Sequence, residues 1–212
     1  IIGSLLTYKD FGHHETFIFP EFSIGGGMYY ADYLIVGKNS GGYEFVFVEL
    51  EAPNKRTTIK SGHEGMNTRA GLIQIVDWKR KIESDFIAIT KEFEKACVDV
   101  EKLPLEFRKY DSTRMHYMVI VGLRDDYNET TYYDRRLSMK EKGIAMYHYD
   151  NLIDLSKALE EKIVVIEEAA ILFGENRKEN IIKSTSIYND SPCKSFKLRE
   201  LVPNYIENDT AE

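Results

Sequence analysis

Residues 29–50 read YYADYLIVGKNSGGYEFVFVEL, and the polar run that follows them leads into TRAGLIQIVDWKRK at 68–81. The first stretch contains two segments, Tyr29 to Val36 and Tyr43 to Leu50, rich in aromatic and β-branched residues and separated by Gly37-Lys38-Asn39-Ser40-Gly41-Gly42. That composition predicts a β-hairpin. Side chains alternate across a strand, so Tyr43, Phe45, Phe47, Glu49 and Glu51 share one face, with the two glutamates about 7 Å apart. Closing the hairpin with Gly37 opposite Gly42 sets Asp32 opposite Phe47, on that face and one diagonal step from Glu49. A slip of one residue would send Asp32 to the other side.

Carboxylates gathered on one face at the end of an apolar strand repel one another unless a cation neutralises them, and hard oxygen ligands suit magnesium or manganese. The competing reading is that Glu49 and Glu51 mark an edge strand emerging into solvent. The helix predicted from about Thr68 buries Leu72, Ile75, Val76 and Ile82 in one stripe. Ala70, Gln74 and Trp78 fall on an adjoining face, where Gln74 can reach water or phosphate near the carboxylates while Trp78 packs behind it. Between strand and helix, Asn54 to Asn67 has no periodicity and reads as a loop beside the strand ends. It carries Lys55, Glu64 and His63, the last either a proton shuttle or a solvent-facing histidine.

Charge is unevenly distributed. The net charge of −7 disfavours a protein that coats nucleic acid, yet 54–81 holds Lys55, Arg56, Lys60, Arg69, Lys79, Arg80 and Lys81 against Glu64 and Asp77, a local +5 that leaves −12 elsewhere. That arrangement suits phosphate contact, and a solvated lysine-rich helix face has the same composition.

Working outward, Thr16 to Phe19 and Phe22 to Ile24 read as an opening strand, with Gly25-Gly26-Gly27 as a turn; without a following helix these glycines make no phosphate loop. His13 and His14 point to opposite sides of an extended chain and read as surface residues. Asp85 to Cys97 extends as a second helix, Asp99 to Thr113 is a charged connection broken at Pro104, and Met115 to Leu123 is a buried strand. Ile144 to Tyr149 is a further strand, with Asp150 capping a helix from Asn151. Strand and helix alternate here, which predicts parallel addition to the sheet. Ser184 to Phe196 can hold one more strand, and the acidic end Glu207 to Glu212 reads as mobile.

At 212 residues and 43% hydrophobic composition the chain has enough apolar material for one domain over 1–183, with a partly mobile extension over 184–212. Cys97 and Cys193 form neither a disulfide framework nor a zinc knuckle. No apolar run reaches membrane-spanning length and no leader is present, so a cytoplasmic protein is expected. The opening residue is Ile1, which leaves room for an upstream domain.

Several of these pieces resemble the PD-(D/E)xK nuclease superfamily and, within it, the Shedu anti-phage defence nucleases with SduA-like C-terminal domains. The resemblance is carried by Ala31-Asp32-Tyr33-Leu34, by Phe47-Val48-Glu49-Leu50-Glu51-Ala52-Pro53, by Ala70 to Trp78 and by Met118 to Gly122 followed by Arg124. It ends at Tyr147-His148-Tyr149-Asp150-Asn151-Leu152, and spans about Phe17 to Leu159. It implies an α/β fold of the restriction-endonuclease-like kind, a mixed β-sheet core flanked by helices. It also implies a Mg²⁺- or Mn²⁺-dependent endonuclease hydrolysing DNA, in which Asp32 and Glu49 are the metal-binding acids and Gln74 the glutamine of the following helix. The family has lysine two residues after the second acid, where this chain has Glu51. Either Glu51 serves as metal ligand or base, with Lys55 supplying the positive charge, or the site is weakened and the domain is a DNA-binding or sensing module. An RNA-directed nuclease is a third reading. Double-stranded DNA and further copies of the chain are the implied partners, with Lys55, Arg56, Lys60, Arg69, Lys79, Arg80 and Lys81 as the implied DNA contacts.

Overall fold

The computed structural model describes residues 15–54, 57–58, 64–97, 99–155, 157 and 196–197. Strands β1 (Glu15–Ile24), β2 (Tyr29–Asn39) and β3 (Gly42–Leu50) form an antiparallel meander. Helices α1 (Met66–Ser84) and α2 (Phe86–Ala96) then carry the chain to β4 (Met115–Ile120), which adds parallel to β3. After α3 (Glu129–Leu137), β5 (Ile144–Tyr147) adds parallel to β4, and a two-residue β6 (Phe196–Lys197) pairs with β1, giving the order β5-β4-β3-β2-β1-β6. This is the expected α/β mixed sheet flanked by helices, with the later strands added in parallel.

The two sheet faces bury different sets. On one, Leu34, Val36, Phe45, Phe47, Tyr117 and Val119 pack beneath α1 and α2; on the other, Ile35, Val46, Val48, Met118 and Ile120 meet Leu152 of the helical stretch 149–155. Aromatic rings fill the first core, with Phe93 of α2 at 4.8 Å from Phe107 and 5.2 Å from Phe22. Burying each such side chain stabilises by about 2 kcal/mol before its ordering entropy is counted.

Several details differ from the sequence reading. Asn39, not Gly37, faces Gly42, because Asn39 Oδ1 accepts the Gly41 N–H at 2.7 Å and closes a tighter loop, Ser40–Gly41. Gly37 pairs with Glu44. The slip is two residues, so the side chains within the ladder keep their faces, and Leu34 rather than Asp32 stands opposite Phe47. Helix α1 starts at Met66, and its buried stripe is Leu72, Ile75, Trp78 and Ile82; Trp78 belongs to the core stripe rather than behind Gln74, and Val76 is half-buried. Asp150 lies within the 149–155 helical stretch and is not its cap, since its carboxylate accepts the Arg124 N–H at 2.7 Å. Strands β4 and β5 stop at Ile120 and Tyr147. Cys97 is buried, as expected of a structural thiol.

The first eleven residues, His13, His14, Lys55, Arg56, Lys60, His63, Cys193 and the 184–212 extension apart from Phe196–Lys197 lie outside the described residues. Among the described residues no helix is long and apolar enough to cross a membrane.

Candidate functional site

The candidate site forms where β2 and β3 separate. Their ladder ends at the Tyr33–Val48 pair. Beyond it the Asp32 side chain takes over the role of the missing strand neighbour, accepting the Leu50 N–H on Oδ2 at 2.6 Å. The adjoining strand is irregular at the same level. Pro20 pairs with Tyr33 and Phe22 with Ala31, but Glu21 between them adopts φ 46°. That left-handed residue lets Phe19 and Phe22, two positions of opposite parity, enter one core. Ala31 and Leu34 of β2 do the same, so Asp32 sits where the alternation switches, aimed at the end of β3.

Glu49 and Glu51 follow from the period-two pattern. Glu49 is buried, and its carboxyl is pushed up to about 8, first by desolvation and then by the charges of Asp32 and Glu51. Glu51 is half-buried and also raised, first by desolvation and then by Asp32, against a lowering contact from Asn67. All three acids therefore lie within electrostatic reach of one another. Glu51 is held on several sides. Its N–H donates to Ile120 O at 2.8 Å, continuing the parallel ladder by one residue, while the Tyr149 hydroxyl donates to its carbonyl at 2.7 Å. Asn67 Nδ2 lies 3.5 Å from its Oε2.

Helix α1 comes this close because residue 71 is glycine. A Cβ there would stand 2.9 Å from Val119 Cγ2 and 3.0 Å from Glu51 Oε1. Asn67, Gly71 and Gln74 recur at four- and three-residue spacing, so they share a helix face; Asn67 and Gly71 abut Glu51, and Gln74 is half-buried. Tyr149 senses the same cluster: burial raises its phenol first, followed by Asp32, Glu51 and Glu49.

The basic residues of α1 are spread along its length. Arg69 is exposed in the first turn. Lys79, Arg80 and Lys81 lie about 12–15 Å further along the axis than Gly71. Each of the three has a partner within the chain: Lys79 donates to Lys142 O and lies 5.1 Å over the Tyr117 ring, Arg80 is 3.4 Å from Asp77, and Lys81 is 3.1 Å from Asp85. The structure thus brings Asp32, Glu49 and Glu51 together, with Asn67 and Gly71 of α1 against Glu51, and sets the 79–81 cluster further along the helix.

Asn67, Gly71 and Tyr149 went unremarked as site residues in the sequence. An isolated glycine inside a helical pattern is the signal that would have found Gly71, and helical spacing then leads to Asn67. Tyr149 makes its contact across 98 positions, which no local pattern encodes.

Among the described residues no group of three or more His, Cys, Asp or Glu side chains is arranged so that it could hold a metal ion. The donor chemistry nonetheless suits Mg²⁺, which is commonly held by one or two carboxylates, waters and the oxygens of a bound phosphate rather than by an all-protein cage. Burial first, and then repulsion from Asp32 and Glu51, raises the Glu49 carboxyl to about 8, and the repulsive part is what a cation would relieve.

No curated protein matches the chain. The family model of the Shedu protein SduA, C-terminal, matches residues 4–153, which takes in every described element from β1 to β5, and the chain belongs to that family.

Proposed function

We propose that this domain is a metal-dependent endonuclease that hydrolyses DNA phosphodiester bonds in defence against phage, as the Shedu membership and the implied PD-(D/E)xK kinship suggest. The observation that carries the reading is the buried, charge-coupled carboxylate of Glu49 between Asp32 and Glu51. Asp32 and Glu49, with Glu51 as further ligand or base, would hold Mg²⁺ or Mn²⁺ together with waters and a bound phosphate; the ion would lower the pKa of a coordinated water and offset charge on the phosphorane. Glu51, raised above the ordinary carboxylate range, is suited to accept the proton of the attacking water. Gln74 orients water or phosphate from the helix face beside it, and Lys55 adds the positive charge that the family's lysine supplies. Arg69, with Lys55, Arg56 and Lys60 of the preceding loop, contacts the DNA backbone, and Lys79, Arg80 and Lys81 add charge further along α1. The protein acts in the cytoplasm on double-stranded DNA as a homo-oligomer.

A second reading has a specific observation behind it. Glu51 in the lysine position, with no preassembled group of metal ligands among the described residues, favours a DNA-binding or sensing module whose cleavage is weakened. Linear and circular double-stranded DNA incubated with Mg²⁺, Mn²⁺ or EDTA separates the two. Metal-dependent cutting that Glu49→Ala abolishes is the expected result. Retained DNA binding without cutting in any metal would establish the module instead.

A further inference from the structure

Glu51 stands one residue beyond the last strand position of β3, where a chain end would ordinarily be free to turn away. Its main chain is fastened there at two points: its N–H donates to Ile120 O at 2.8 Å and its C=O accepts from the Tyr149 hydroxyl at 2.7 Å. The Ile120 bond orients one side of the peptide, and the phenol fixes the other. Tyr149 comes from the helical stretch after β5, and its ring is held by packing against the second core. On the opposite side the Glu51 side chain meets Asn67 and the space left by Gly71. The phenol also lies within electrostatic reach of Asp32, Glu49 and Glu51 together, so it borders the whole cluster rather than a single residue. A neutral donor at this point fixes an acid without neutralising it.

We propose that Tyr149 is a positioning residue of the carboxylate centre, acting through Glu51 to hold it in line with Asp32 and Glu49 for a divalent cation. This rests on the metal-dependent reading above and adds to it a residue that touches neither metal nor substrate. Outer partners that orient metal ligands typically change metal affinity or activity by 10–100-fold when removed.

The test is a double-mutant cycle read by Mn²⁺ binding to the full chain, measured by titration calorimetry both without DNA and beside an uncleavable phosphorothioate duplex, on wild type, Tyr149→Phe, Glu51→Gln and the double variant. Thermal midpoints are recorded alongside, so that loss of fold is distinguished from loss of affinity. Tyr149→Phe is expected to weaken Mn²⁺ binding by about 10-fold in the wild-type background and by less than about 2-fold when Glu51 is already Gln. Equal losses in the two backgrounds would mean a general structural role and overturn the proposal. So would unchanged binding in folded Tyr149→Phe. If Glu49→Gln weakens Mn²⁺ binding while Tyr149→Phe does not, this inference alone fails; if wild type binds no Mn²⁺, the metal-dependent reading fails and takes this one with it.

Discussion

Glu49 gives the site a pH signature of its own. Its carboxyl titrates near 4.5 in an unfolded chain and near 8 in the fold, so between these values the folded state holds a proton that the unfolded state has lost. Metal-free stability from this group is complete below about pH 4.5 and is lost as pH rises through about 8. Melting temperatures in EDTA are expected to fall across that window, and Glu49→Gln is expected to flatten the fall. A parallel pH dependence in the variant would refute the assignment. Because a cation competes with that proton, Mn²⁺ affinity is expected to rise with pH over the same range. Asp32 has a structural duty besides its charge: Asp32→Ala leaves the Leu50 N–H without its acceptor, at a cost of about 1–3 kcal/mol in chemical denaturation. Asp32→Asn keeps an acceptor oxygen and is expected to recover most of that stability while losing cleavage; equal stability of the two variants would argue against the hydrogen bond.

Among the elements, α1 connects core to site. Its inner stripe includes Trp78, fully buried, and Trp78→Ala is expected to cost about 3–5 kcal/mol. At Gly71 two effects oppose each other. Alanine gains about 1 kcal/mol of helix propensity, yet its methyl would press on Val119 and Glu51, both held by the sheet. Overpacking typically costs about 1–3 kcal/mol, so Gly71→Ala is expected to be net destabilising and to weaken Mn²⁺ binding. A stabilised Gly71→Ala would show that the helix can shift outward freely. The elements were the most legible part of the sequence because the two- and 3.6-residue periods are local. The hairpin register was misread by two residues because the loop is set by an Asn39 side-chain bond, and the even slip left the acids on their face. Trp78 completes the stripe 72-75-78-82 in the place that the sequence reading gives to Val76, the other three positions being shared.

Across the whole molecule, the net −7 is at odds with DNA binding unless the basic residues are concentrated at the contact. The sequence makes 54–81 look like one basic band; folding divides it, since Lys79, Arg80 and Lys81 have partners within the chain and lie well along α1 from the acids. Arg69→Ala is therefore expected to lower DNA affinity and to reduce the salt slope of log K by about 1, and Lys79→Ala to change the slope by well under that. The reverse ranking would move the DNA path to the far end of the helix.

Thr57 lies between β3 and α1 and is fully buried. Its carbonyl accepts both the Gly65 N–H and the Thr68 hydroxyl, its own hydroxyl donates to Asp126 O, and its methyl packs where Gly122, at φ 66°, leaves no room for a side chain. The bridge between Thr58 and Glu64 then closes the remainder of the connection on itself. In evolutionary terms this divides one connection into a part with fixed length and a part with free length. Residues added between 58 and 64 only lengthen a segment whose ends are already joined, at about 0.6 kcal/mol per doubling. Residues removed between 53 and 57 would shorten the tether by which Thr57 reaches its seat, and so draw on the start of α1.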